Sequence, residues 1–258
     1  MREPKTQKLG VGVIIGRSFG IVFRHFPSVL VLCFVPTLAG LMLSSLVLWG
    51  TLLPFEPELD FTDGRSILRV VLSILVESAL NGVTTALVVQ LAYDTVLDRR
   101  PHPGRYVGPA LRVAIPVAVL GLMVGLVVVA GLVALVIPGL WVYAVFFVIP
   151  PVIVIENVRF AALQRSAALT RLYRWPIVGA LVLILFCVGL LESAGGFLVS
   201  LVGAELLLAL PLWTAIVVEA FFSALGYGLI GIATALIYAR LREIKDGVGV
   251  DDIVAVFN

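Results

Sequence analysis

Long apolar runs, separated by short polar segments, dominate the chain. Six of them approach or exceed the roughly 20 residues that an α-helix needs to cross a bilayer. These runs are residues 27–50, 68–97, 113–135, 138–155, 176–200 and 207–239. The fourth is short and contains Pro150 and Pro151, so we expect it to be kinked or broken there. The pattern predicts an all-α, polytopic membrane helix bundle that forms one integral membrane domain over residues 1–258.

Composition agrees with a membrane protein. The chain is 61% hydrophobic and 13% charged, with a mean hydropathy of +1.14, whereas soluble domains are nearer half apolar and a quarter charged. This excludes an ordinary soluble globular domain. Its two cysteines, Cys33 and Cys187, lie in apolar runs and give no information about the redox compartment.

The basic residues are distributed unequally between the two sides of the predicted bundle. Sixteen of the 18 Lys and Arg residues fall in the N-terminal lead, the second and fourth connections between spans, and the tail 240–258. The first connection, "PFEPELDFTDGR", is acidic. The positive-inside rule therefore predicts an inner-membrane protein whose N and C termini are both cytoplasmic.

Two basic segments, residues 9–25 and 157–173, are predicted to be interfacial helices. In the second, Arg165 falls on the apolar side of the helical wheel, where a cation needs to reach water or a partner. The two segments, together with the arginine that follows the second one, form a candidate face for lipid headgroups: Arg17, Arg24, Arg159, Arg165, Arg171 and Arg174. Because topology alone requires the same charges, headgroup binding is one of two interpretations.

Parts of the sequence echo one another. "GRSFGIVFRHFPSVLVLCF" and "QRSAALTRLYRWPIVGALVLILF" share an Arg-Ser pair, a later Arg, an aromatic residue and a proline before a membrane run, and "LRVAIPVAVL" is a weaker echo. One interpretation is three parallel helical hairpins, each introduced by a basic interfacial helix. The other is that all positive-inside junctions resemble one another.

Three glutamates, Glu77, Glu192 and Glu219, lie within predicted spans, where ionisable residues are functional candidates. At 1.5 Å rise per residue, each lies about 27–33 Å from the arginine at the basic end of its span. Asn81 and Gln90 extend a polar track along the second span. If these side chains converge, they form an acidic cluster for protons, cations or a lipid amine. The alternative is that each glutamate lies separately at the outer headgroup boundary.

Sequence motifs for catalysis are missing. There is no Walker-type loop, no His-Glu-x-x-His, no Gly-x-Ser-x-Gly and no Cys/His cluster, so we expect no enzymatic activity, cofactor or metal. We expect membrane lipids as partners and no nucleic acid. Small residues, including Gly121 and Gly125 in a GxxxG spacing, favour close helix packing or self-association, so a homo-oligomer or a membrane-protein partner is left open.

Two stretches resemble a known family. They are "IPGLWVYAVFFVIPPVIVIENVRFAALQRSAALTRLYRWPIVGALVLI" and "ALIYARLREIKDGVGVDDI". They are similar to uncharacterised six-span prokaryotic proteins grouped with the membrane domain of glycerophosphoryl diester phosphodiesterases and with YciC-like proteins. The residues that match its pattern are Glu156, Arg165, Ser166 and Tyr238, while Asn157 and Arg171 replace expected glycine or small residues. The resemblance implies a six-span fold and no assigned activity.

Two functional hypotheses follow. The first is a non-enzymatic membrane protein that binds or organises phospholipids, or supports an envelope complex. The second is a permease or channel that uses the intramembrane glutamates for a proton-coupled or cationic solute. A lipid-modifying enzyme ranks third because no nucleophile or acid–base pair is recognisable.

Overall fold

The computed structural model of the protein describes residues 9–49, 63–97, 99, 101–201 and 213–247. Within those ranges the backbone forms nine α-helices and no β-strand. They are α1 (Val11–Arg24), α2 (Phe26–Trp49), α3 (Gly64–Val96), α4 (Pro103–Ala134), α5 (Val136–Phe146), α6 (Ile149–Glu156), α7 (Ala162–Thr170), α8 (Arg174–Leu201) and α9 (Trp213–Asp246). The chain is a helical bundle.

Six helical segments are long and apolar enough to cross a membrane. They are Phe26–Leu48, Gly64–Val96, Pro103–Val133, Val136–Glu156, Arg174–Leu198 and Ile216–Asp246. Each corresponds to one predicted span, so the predicted fold class, a polytopic membrane helix bundle, is confirmed. Residues 50 and 207–212 of the predicted spans, most of the acidic connection and residues 248–258 of the tail lie outside the described residues.

Two helices extend beyond the apolar runs that predict them. Helix α4 begins at Pro103 rather than at 113, with His102 as its N-cap residue, and proline suits this first turn because its missing N–H is not needed there. Helix α9 continues past 239 to Asp246. The extra turns are polar, so hydropathy gives no sign of them.

The predicted break in the fourth span is present. Helix α5 ends at Phe146 and α6 begins at Ile149, so Phe147 and Val148 separate them. Pro150 and Pro151 have no N–H to donate to the carbonyls four residues earlier, which explains why α5 cannot continue through them. Both prolines lie in the first turn of α6, where this loss is tolerated.

The interfacial helices differ from their predicted lengths. Helix α1 nearly fills the predicted range 9–25, but α7 covers only Ala162–Thr170 of the predicted 157–173. The chain leaves the helical conformation on both sides of α7, because Asn157 and Leu172 have positive φ angles of 54° and 76°. The weak echo "LRVAIPVAVL" lies inside α4, so no separate interfacial helix precedes it.

Helix α9 is the centre of the bundle. It packs against α1, α2, α3, α6, α7 and α8. Half of its most apolar 18-residue stretch is buried, as in the span formed by α5 and α6, compared with 28% in α2, α3, α4 and α8. Glycine allows this close packing, since a Cβ atom on Gly231 would lie 2.9 Å from Cγ1 of Val88 on α3. By contrast, Gly121 and Gly125 face open space, so packing within the chain does not use their GxxxG spacing.

We expect Gly231→Ala to destabilise the bundle by about 1–3 kcal/mol, because the added methyl group overpacks the contact between α9 and α3. The measurement is thermal unfolding of the purified protein in detergent. Gly189→Ala on α8 is the matched control, since a Cβ atom there meets nothing within 4 Å. Equal melting temperatures for the two variants would show that the contact with Val88 does not limit the packing.

Candidate functional site

Most of the arginines lie at one end of the bundle, where α2, α4 and α8 begin and α3, α6 and α9 end; we call it the basic end. At its centre lies the carboxylate of Glu156, the last residue of α6. Nε of Arg165 on α7 donates to its two oxygens over 3.1 and 3.0 Å, and the hydroxyl of Tyr238 on α9 donates over 2.9 Å. The terminal nitrogens of Arg165 donate to Asp246. These four residues form the Glu156 cluster.

The Glu156 cluster extends to a fourth helix. Nη1 of Arg242 donates to the hydroxyl of Tyr93 on α3 over 3.2 Å, and its Nε lies 3.7 Å from Asp246. Hydrogen bonds to Asp246, and then to Glu156, outweigh partial burial and raise the pKa of Arg165 above its ordinary value. Arg165 therefore stays protonated, and its charge joins α6, α7 and α9.

Two hydroxyl groups on α7 donate hydrogen bonds to the C-terminal end of α5. Ser166 and Thr170 are fully buried, and their hydroxyls donate to the carbonyl of Val145 over 2.8 and 3.1 Å. The last carbonyls of a helix lack intrahelical donors, so these bonds satisfy a group that the break after α5 exposes. They also hold α7 against α5.

Residues that carry the family resemblance meet at this place. Glu156, Arg165 and Tyr238 belong to one cluster, and Ser166 lies beside it. Asn157 ends α6 in the left-handed conformation, which glycine and asparagine favour. Arg171 has φ −55°, and the left-handed residue is its neighbour Leu172 instead. Sequence reasoning missed three members of the network, Tyr93, Arg242 and Asp246.

An apolar groove of about 310 Å³ lies beside the Glu156 cluster. One wall is a stripe of α4 at helical spacing. Its residues are Arg112, Ile115, Pro116, Val119 and Leu120. Arg159 and Phe160, in the connection between α6 and α7, form the other wall. From Arg112 to Leu120 the stripe extends about 12 Å along the helix axis.

Neither arginine of the groove is paired with another described side chain. Arg112 and Arg159 are exposed, and neither guanidinium has a hydrogen-bond or ion-pair partner among the residues that the structure describes. The groove lining contains no carboxylate. The arrangement therefore offers two free positive charges at one end of an apolar surface. Arg112 was missed as a candidate, although its spacing from Ile115 and Val119 was visible in the sequence.

The other predicted arginines do not form one face with Arg159. Arg165 is held in the Glu156 cluster, and Arg174 lies over the ring of Trp141 at 4.4 Å. Arg17 lines a separate cavity of about 320 Å³ between α1 and α9, whose lining includes the ion pair of Arg240 with Glu243. Arg24 and Arg171 are exposed outside these cavities.

Some of the predicted intramembrane polar residues come together at the opposite end. Glu77, Asn81 and Glu219 line a cavity of about 180 Å³, and Nδ2 of Asn81 donates to the hydroxyl of Tyr227 over 3.3 Å. Glu192 does not line the cavity but lies close enough to interact electrostatically with Glu219.

Gln90 lies apart from this cavity. Its Nε2 donates to the carbonyls of Ala86 and Tyr106 over 3.0 and 3.3 Å, which joins α3 to α4. Thr84 and Thr85 donate to carbonyls of their own helix. The predicted polar track along α3 therefore has two parts. One part faces the cavity, and the side chains of the other donate hydrogen bonds to backbone carbonyl groups.

We expect Glu156→Gln to lower the unfolding free energy by about 1–3 kcal/mol, because Arg165 loses a charged hydrogen-bond partner whose side chain is 17% exposed but keeps Asp246. Thermal unfolding in detergent measures the effect. Glu243→Gln is the control, because its pair with Arg240 is a 43%-exposed i,i+3 contact and such pairs contribute about 0–1 kcal/mol. A Glu156→Gln shift no larger than the control would contradict the central role of the cluster.

Comparison with known proteins gives no further assignment. No family model, no curated protein and no solved structure matches the chain. Among the described residues, no group of three or more His, Cys, Asp or Glu side chains is arranged to hold a metal ion. The resemblance to the glycerophosphoryl diester phosphodiesterase membrane-domain and YciC-like proteins stays a prediction, carried by Glu156, Arg165, Ser166 and Tyr238.

Proposed function

We propose that the protein binds anionic phospholipid in the groove between α4 and the connection from α6 to α7. The observation that carries this proposal is the pair of unpartnered guanidiniums, Arg112 and Arg159, at one end of an apolar surface. Two arginines suit a phosphate group, because each guanidinium presents several N–H donors in a fixed plane. Organising phospholipids, or supporting an envelope complex through them, is the cellular role that fits such a site.

The apolar wall supplies the second half of a lipid site. Ile115 on the stripe of α4 and Phe160 on the opposite wall are 71% and 70% exposed. An acyl chain lying on this wall exchanges contact with neighbouring lipid for contact with protein. Affinity therefore depends on the headgroup, and the wall fixes how the lipid is oriented.

The groove between α4 and the α6–α7 connection is preferred to the cavity between α1 and α9. The second cavity contains Arg17 but also Glu243, whose carboxylate pairs with Arg240 over 2.6 Å. That carboxylate opposes an anionic headgroup. Arg112 and Arg159 have no such neighbour in their lining.

The proposed leaflet follows from topology. We place the basic end at the cytoplasmic face of an inner membrane, with both termini on that side, because sixteen of the 18 Lys and Arg residues fall in the N-terminal lead, the second and fourth connections and the tail of the sequence. The cytoplasmic leaflet is rich in anionic lipids, which attract basic groups with about 1 kcal/mol per residue. The groove would then lie at the depth of their phosphate groups.

A transport function is the second candidate, and the cavity at Glu77 and Glu219 favours it. A permease also needs a path from that cavity to the basic end. Gln90, which continues the predicted polar track toward the basic end, donates to the carbonyl of Tyr106 instead. Lipid binding is therefore the better-supported function.

We expect Arg112→Gln/Arg159→Gln to weaken binding of phosphatidylglycerol about 10- to 100-fold, since each basic residue contributes about 1 kcal/mol to the attraction of an anionic lipid. Native mass spectrometry of the purified protein, with phosphatidylglycerol competing against phosphatidylcholine, measures the change.

Arg24→Gln/Arg171→Gln is the matched control for that experiment. It removes the same charge from exposed positions outside the groove. If phosphatidylglycerol binding falls as much in this control as in the groove variant, the lipid is held by diffuse attraction to a basic surface. The groove is then not the site.

Cysteine labelling tests the proposed orientation. In a background with Cys33 and Cys187 replaced by alanine, we expect a membrane-impermeant maleimide to label Arg65→Cys in intact cells. Arg171→Cys should react only after permeabilisation, because the positive-inside rule places it in the cytoplasm. Both positions are exposed, so equal labelling in intact cells would overturn the orientation.

A further inference from the structure

Thr37 differs from the other buried hydroxyl residues that the structure describes. Six buried side chains donate to backbone carbonyls: Ser18, Ser73, Thr84, Ser166, Thr170 and Thr234. Thr37 is only 4% exposed, and its Oγ1 has no hydrogen-bond partner. It lines the cavity that contains Glu77 and Glu219. A buried polar atom without a partner costs free energy, so an occupant of the cavity is expected to satisfy it.

The cavity is lined by oxygen atoms from three helices. Glu219, Ser223 and Tyr227 follow one another at i, i+4 and i+8 on α9, and Glu77 and Asn81 do so at i and i+4 on α3. Because the Asn81 amide nitrogen donates to Tyr227, its carbonyl oxygen is left as an acceptor. The lining is rich in acceptors and contains no basic side chain.

The charge of the lining selects a positive occupant. Glu77 and Glu219 line the same cavity, so their carboxylates repel each other when both are ionised. Neither glutamate has an ion-pair partner in the described part of the chain. A cation that enters the cavity relieves this repulsion, and N–H donors on the same group satisfy Thr37 and Asn81.

The size of the cavity and its ligands favour an organic cation over a bare metal ion. Its volume of about 180 Å³ is far more than the about 10–15 Å³ that one water molecule needs. In the part of the chain that the structure describes, no group of three or more His, Cys, Asp or Glu side chains is arranged to hold a metal ion.

We propose that the cavity binds a primary ammonium group on a short alkyl chain. This chemistry is shared by free alkylamines and by the headgroup of an aminophospholipid. The site is separate from the groove proposed for anionic phospholipid and does not depend on it.

Isothermal titration calorimetry of the full chain in detergent and an amine-free buffer tests the proposal, with ethanolamine as the probe. Ethanolamine binds the wild-type protein, and Glu77→Gln/Glu219→Gln weakens binding about tenfold or more, because charge-assisted hydrogen bonds are lost. Thr37→Val weakens it severalfold. The controls Glu243→Gln and Thr234→Val leave the affinity unchanged, because both residues lie outside this cavity.

Two further arms identify the source of the ammonium group. In nanodiscs, retention of phosphatidylethanolamine over phosphatidylcholine by the wild-type protein, lost in Glu77→Gln/Glu219→Gln, assigns the ligand to a lipid headgroup. Binding of ethanolamine without such retention assigns it to a free amine. Either result supports the proposal.

Tetramethylammonium and sodium chloride provide the decisive comparison in the wild-type protein, because neither carries N–H donors. If either binds as tightly as ethanolamine, the proposed chemistry is wrong. Unchanged ethanolamine affinity in the folded double variant overturns the site, as does the absence of both ethanolamine binding and phosphatidylethanolamine retention. Should the double variant not fold, Thr37→Val and the tetramethylammonium comparison still decide the outcome.

Discussion

The basic end of the bundle depends on one largely buried carboxylate, that of Glu156. A charge at this depth needs hydrogen-bonded partners, and Arg165 and Tyr238 supply them from α7 and α9. Arg159 and Phe160 lie between Glu156 and α7, so their position against α4 is fixed from both sides. The proposed lipid groove thus has one wall on a continuous helix and the other on a short connection that the cluster holds in place.

The length of the apolar runs predicts the fold because lipid contact is what selects apolar side chains. For this reason all six spans were found from the sequence. Helix ends are set by hydrogen bonding and capping instead, which hydropathy does not report. Helix α4 therefore starts at Pro103 and α9 extends to Asp246, beyond the apolar runs in both cases. The same reasoning explains why α7 is shorter than its amphipathic pattern indicated, since Asn157 and Leu172 leave helical geometry.

The candidate sites were predictable only in part. The sequence indicated that Arg165 needs a partner, but Asp246 is 81 positions away, and only tertiary packing brings the two together. Glu77, Asn81 and Glu219 share a cavity because they lie at similar height on α3 and α9, which the spacing from the basic end implied. Thr37 could not be foreseen. A threonine in an apolar helix ordinarily bonds its own backbone, and nothing local marks this one as different.

Helix α9 contributes side chains to the polar clusters at both ends of the bundle. Its close packing against neighbouring helices restricts its movement. It contributes Tyr238 and Asp246 at one end and Glu219 and Tyr227 at the other. Between them, Gly228 and Gly231 lie against Val29 and Val88 without space for a methyl group. Side chains on such a helix are already in position before a ligand arrives, so little conformational entropy is lost on binding. The central helix therefore holds the Glu156 cluster together at one end and presents a preformed acidic cavity at the other.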